Sequence, residues 1–93
     1  MSGETKYKDP DSVLDYSTDW SDWLSASGDD TINSSIWIVP DGITKDSDTF
    51  TDTDATIWLS GGTDGEKYNI LNRITTIGNR TDDWTFTLKI KEK

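Results

Sequence analysis

From Val13 onward, apolar and polar positions alternate: Leu14, Tyr16, Thr18 and Trp20 fall on one side, Asp15, Ser17 and Asp19 on the other. A period of two predicts a half-buried strand. Trp23 and Leu24 follow, and residues 25–30 form a turn by composition. Residues 31–39 are rich in β-branched and aromatic side chains and predict a second strand, closed by Pro40-Asp41-Gly42. Residues 43–45 predict a short strand. Residues 46–54 read as a polar loop with Phe50 as its only anchor, and 55–60 as a strand ended by glycines. The clearest strands are 67–76 and 81–91, joined by a turn at Gly78-Asn79. Nothing keeps a 3.6-residue period, so no helix longer than a single turn is expected. Short strands separated by frequent turns define an all-β fold. The pattern predicts an immunoglobulin-like β-sandwich of about seven antiparallel strands.

One motif sharpens that expectation. Gly65-Glu66-Lys67-Tyr68-Asn69-Ile70 has the form G-x-x-Y-x-I at the start of the penultimate strand. In immunoglobulin-like sandwiches a tyrosine here bonds back to upstream backbone and pins the loop crossing between sheets, a tyrosine corner. Gly65, Tyr68 and Ile70 are therefore the fold-defining residues, with Ile70 where disulfide-bearing relatives of the fold place a cysteine; a plain strand tyrosine after a glycine turn is the competing reading. The facing follows. Tyr68, Ile70 and Ile74 point inward, as do Phe86, Leu88 and Ile90 on the last strand and Ile57 and Leu59 on 55–60, which turns Trp58 outward.

Residues 1–12 are polar and carry Pro10. They are expected to form an extended N-terminal arm that adds no strand to its own sandwich and is ordered against a neighbour, with a frayed terminus as the competing reading. The sandwich domain spans 13–93.

Charge narrows the function. The chain has 93 residues and a net charge of −9, from 9 basic and 18 acidic side chains. Phosphate-binding proteins need a basic face, so no nucleic-acid partner is expected, and acidity equally argues against an anionic membrane surface. No apolar run approaches the roughly 20 residues of a membrane helix, and the start of the chain lacks an apolar signal core. Acidity fits solubility or docking on a basic protein surface, and does not choose between them.

Cysteine and histidine are both absent. That removes disulfides, thiolate and imidazole metal sites, and nucleophile–base pairs built on either residue. Asp46, Asp48, Asp52 and Asp54 invite a calcium reading, but lack the spacing, turn glycine and bidentate glutamate of a calcium loop; a solvated acidic loop is the stronger reading. Paired carboxylates for glycoside hydrolysis need a cleft that so small a sandwich hardly accommodates. No enzyme, cofactor or metal site is expected. Asn79-Arg80-Thr81 fits a glycan acceptor triplet by chance. Five tryptophans in a β-sandwich also suit a carbohydrate-binding module. With Trp20, Trp23 and Trp37 assigned to the core, however, only Trp58 and Trp84 remain to stack on a sugar.

The chain resembles a family of small tailed-phage virion proteins described as fiber-tail adaptor proteins. The resemblance spans residues 9–93. Its most specific pieces are Asp19-Trp20-Ser21-Asp22-Trp23-Leu24, Trp58-Leu59-Ser60-Gly61-Gly62 and Asn72-Arg73-Ile74-Thr75-Thr76. It implies an immunoglobulin-like sandwich without catalytic role, an adaptor or decoration subunit of the virion. It also implies capsid, neck or tail proteins as partners, a homo-oligomer within the particle, and synthesis in the host cytoplasm. The alternative from another class is the carbohydrate-binding module.

The expected interface comes from strand 31–39, apolar on both faces. If Trp37 and Val39 are core, Ile36 and Ile38 are outside. If that strand lies beside 55–60 in one sheet, Ile36, Ile38 and Trp58 make one contiguous apolar patch, the mark of a binding site. A β-bulge would invert the facing, putting Ile36 and Ile38 in the core and Trp37 outside.

Overall fold

In the computed structural model, which describes residues 2–26 and 28–92, the order is β1 (Ser2–Lys8), β2 (Leu14–Asp19), α1 (Ser21–Ala26), β3 (Ile32–Ile38), β4 (Ile43–Phe50), β5 (Asp54–Gly61), β6 (Lys67–Thr76) and β7 (Thr81–Ile90). The strands form a β-sandwich of two sheets, ordered β1-β7-β6-β3 and β2-β5-β4. Placing the third, sixth and seventh strands in one sheet and the second, fifth and fourth in the other is consistent with the immunoglobulin-like arrangement.

Several expectations need correction. Residues of the arm pair with β7 and so extend the chain's own sandwich; Met1 lies outside the described residues. That pairing is parallel, so the sandwich is not wholly antiparallel. The polar segment after residue 45 is no loop: β4 continues to Phe50, with a bulge between Lys45 and Ser47. As an edge strand, β4 is held by the backbone ladder to β5 and needs little apolar content. Phe50 is exposed rather than an anchor. Where at most a single turn was expected, α1 has six residues, about a turn and a half. It lets the chain cross from β2 in one sheet to β3 in the other.

The facing of the strands agrees with the sequence. Ile57, Leu59, Ile70, Leu88 and Ile90 are fully buried and join Phe86, Tyr16 and Trp37 in the main core. Phe86 is central, with ring centroids 5.6 Å from Tyr16 and 6.4 Å from Trp37. A second core gathers Trp20, Leu24, Ile32 and Ile74, with Trp23 and Trp84 packed against it. Here the α1 crossover buries its apolar side, and Trp20 meets Trp23 edge-on at 5.5 Å.

Asn72, fully buried on β6, joins these parts. Its Oδ1 accepts from Trp20 Nε1 at 2.9 Å, and its Nδ2 donates to Ser35 Oγ at 2.9 Å and to the Ile36 carbonyl at 3.1 Å. One side chain thus ties the α1 crossover to edge strand β3. The amide is inside because every one of these partners needs it: a buried N–H or C=O left unpaired is costly.

The Tyr68 hydroxyl accepts the Thr63 backbone N–H at 3.2 Å, the back-bond expected from the motif. Its ring fills the space above Gly42, where a Cβ would lie 2.9 Å from Cε1 and the backbone has φ +101°. Only glycine suits both conditions.

Two predictions follow from this geometry. Thr63 N–H lies at the surface, where water substitutes for the phenol, so Tyr68→Phe should lower the stability measured by denaturant titration by about 0.5–1.5 kcal/mol. An unchanged midpoint would show that the hydroxyl does not pin the loop. Asn72→Leu keeps side-chain volume but strands the Trp20 indole N–H in the interior. It should cost at least about 1–3 kcal/mol, and the near-ultraviolet dichroism of the Trp20–Trp23 pair should weaken with it.

Candidate protein interface

Ile36, Ile38 and Trp58 are all on the surface, exposed by 55%, 49% and 41%. Trp37 between the two isoleucines is buried, so the inverted facing is excluded. The contiguous patch is also excluded. β3 pairs with β6, and β5 lies between β2 and β4 in the other sheet. The isoleucines and Trp58 therefore occupy opposite outer faces of the sandwich. Alternation along each strand reports which side faces the core, but sheet membership is set by long-range pairing, and the crossover at α1 moves β3 away from β5.

On the first outer face, Ile38 is the register partner of Leu71 and Ile36 that of Arg73. Arg73 makes a forked pair with Asp83, 2.7 Å from Nε to Oδ1 and 3.2 Å from NH2 to Oδ2. That guanidinium holds the Asp83 carboxyl below its ordinary range. Lys67 and Lys89 lie directly opposite each other on the same face. On the second outer face Trp58 is flanked by Asp15 of β2 and Ser47 of β4. Asp19 and Asp54 face each other nearby, and Asp46 accepts a bond from Ser60 Oγ at 3.1 Å.

A hollow of about 520 Å³ opens at one end, lined by Tyr7, Lys8, Asp9, Leu14, Lys91 and Glu92. Its floor is unusual because Lys8 is 2% exposed. The Lys8 ammonium donates to the carbonyls of Gly61 at 2.7 Å and Asp9 at 2.8 Å, and burial pushes its pKa down. Beside it the Tyr16 hydroxyl donates to the Tyr7 carbonyl at 3.1 Å. Both contacts fasten β1 to the opposite sheet. The N-terminal polarity gave no sign of this, because a lysine in a polar segment reads as solvated.

Three carboxylates have shifted proton affinities. Asp19, Asp30 and Asp83 are all shifted down, chiefly by the Ser21 backbone N–H, the Thr76 hydroxyl and the Arg73 guanidinium respectively. A proton donor at neutral pH needs the opposite shift. Among the described residues no three acidic side chains gather into a metal site. No helix among them is long and apolar enough to cross a membrane.

A small sandwich with apolar and charged side chains on both outer faces offers surfaces suited to binding. The comparison of sequences makes the class specific: residues 8–89 match the model of the family described as Podophage GP4 fiber-tail adaptor protein gp77, and the chain belongs to that family. It is accordingly related to phage structural adaptors. No curated protein matches it.

The Tyr16 phenol generates a pH prediction. Burial and the nearby Asp15 carboxylate raise its pKa from 10.0 to about 12, so folding favours the neutral hydroxyl. Its contribution is complete below pH 10 and is lost as pH rises towards 12. Lys8 shifts the other way, so the two are separated by comparing the parent with Tyr16→Phe. Phenolate absorbance should show a late-titrating component that the variant lacks, and the stability gap between them should shrink across that window.

Proposed function

We propose that the chain is an assembly subunit of a tailed-phage particle, an adaptor or decoration protein that joins virion proteins and is present in several copies. Its partners are other virion proteins of capsid, neck or tail. It is made in the host cytoplasm, becomes part of the virion, and performs no catalysis. Membership of the fiber-tail adaptor family over residues 8–89 is the observation that carries this reading. The two-faced surface supports it, since an adaptor must present more than one contact area. Ile36 and Ile38 mark one area and Trp58 the other. Aromatic side chains at such positions are common energetic anchors.

The carbohydrate-binding alternative loses ground. Trp84 packs against the second core, which leaves Trp58 as the one of the two tryptophan candidates on an open outer face.

Mass spectrometry of purified particles tests the role directly, and the protein should be present in fixed stoichiometry. Ile38→Glu and Trp58→Ala change surface positions, so each should leave stability within about 0.5 kcal/mol of the parent while reducing incorporation into particles. Full incorporation of both variants would remove these residues from the interface. Absence from the particle, or retention of the isolated chain on polysaccharide through Trp58, would overturn the assembly role.

A further inference from the structure

Among the described residues the sandwich has four edge strands, β1 and β3 in one sheet and β2 and β4 in the other. An edge strand presents unpaired backbone groups to any extended chain, and charged side chains or bulges ordinarily blunt it. Three are blunted: β1 carries Lys6 and Lys8, β2 carries Asp15 and Asp19, and β4 carries Lys45, Asp46 and Asp48 together with its bulge. β3, Ile-Asn-Ser-Ser-Ile-Trp-Ile, carries no charge. Its irregularity of register lies between Ile32 and Ser34, at the end where the Ile32 N–H donates to the Asp52 carbonyl at 2.9 Å. From Ser34 to Ile38, among the described residues, its backbone ladder runs to β6 alone.

The other sheet is uncovered beside this edge. Directly opposed residues of an antiparallel pair share a side, so Phe50, Asp48 and Lys45 of β4 point inward with Ala55, Ile57 and Leu59 of β5. The β5 residues are fully buried, whereas Phe50 is 43% exposed. Lys45 and Asp48 form an ion pair of 3.1 Å that is also open to solvent. The bond between Asp52 and Ile32 sets the end of β4 alongside β3. A strand added to β3 would therefore lie across these three inward side chains of β4.

We propose that β3 receives an extended segment of a different virion protein by strand addition, in which backbone bonds supply affinity and alternate side chains supply specificity. The segment pairs with Ser34–Ile38. Its outward side chains are apolar and extend the surface begun by the exposed Ile36 and Ile38. Its inward side chains cover Phe50 and are otherwise basic. The sign follows from residues 41–54, which hold five aspartates and one lysine. The same acidity weighs against a second copy of this chain as the occupant, because pairing β3 with β3 would bring two such segments together. The proposal rests on the assembly role and gives the chemistry of one partner. It is tested on the isolated chain, so its failure leaves incorporation into particles, the test of that role, unaffected.

The probe is a synthetic peptide alternating valine with lysine, added to the full chain. Hydrogen exchange should slow at backbone amides within Ser34–Ile38 when it binds. N-methylation of alternate peptide residues removes several backbone donors and should weaken binding by about tenfold or more. Replacing its lysines with glutamate should abolish binding at low salt. Ser34→Lys gives β3 the kind of charge the other edges carry; it should lower affinity while leaving the denaturation midpoint unchanged, and Ile36→Lys replaces it if it does not fold. Unaltered exchange at Ser34–Ile38, equal binding of the N-methylated or the glutamate peptide, or full affinity in the lysine variant would each overturn the proposal.

Discussion

The carboxamide of Asn72 is the interaction on which the sandwich most depends. Its register partner Trp37 belongs to the main core, and it bonds Trp20 of the second core as well as two groups of β3. Apolar packing is non-directional and would hold two sheets together at many offsets. A buried amide with three partners is satisfied at one. Asn72 thereby fixes where α1 crosses and how β3 lies on the edge of its sheet. The outward positions of Ile36 and Ile38 follow, because a one-residue slip of β3 would exchange them with Trp37.

The opposite edge of that sheet is fastened by different chemistry. The hold of β1 on the β2-β5-β4 sheet includes the Lys8 ammonium on the Gly61 carbonyl and the Tyr16 hydroxyl on the Tyr7 carbonyl, while a second Lys8 bond goes to the neighbouring Asp9 carbonyl. Burying an ammonium is costly, and the lowered pKa of Lys8 reflects that. Direct bonds to carbonyls at the end of β5 and after β1 offset it. One edge is thus set by a neutral amide network, the other by a charge held among backbone dipoles.

These two edges also explain what could be read from the sequence. Facing was legible wherever a strand has one wet and one dry side, hence the correct placement of Ile57, Ile70, Phe86 and Trp58. Tyr68 was legible because its glycine-to-tyrosine spacing encodes a local bond. β1 and the outer half of β4 were not. Both are edge strands made by backbone pairing, and their side chains, mostly charged or hydroxylated, have the composition of a loop. The separation of Ile36 and Ile38 from Trp58 was hidden for another reason: it depends on β3 pairing with a strand more than thirty positions away, which no periodicity reveals. Asn72 gave no signal, because an asparagine in a strand is ordinarily a surface residue.

Net charge misleads in the same way, because a sum over the chain discards position. The value of −9 fits solubility or docking on a basic protein surface and does not choose between them. Alternation along the strands instead sends Lys67, Arg73 and Lys89 to one side of the sandwich and Asp15, Asp19, Asp46 and Asp54 to the other. Much of the remaining acid lies in turns and at the ends, away from either face. What the sum hides is therefore the difference between the faces. That difference exists only because β3, β6 and β7 share one sheet while β2, β4 and β5 share the other, so the same topology that divides the apolar residues between the faces also separates the charges.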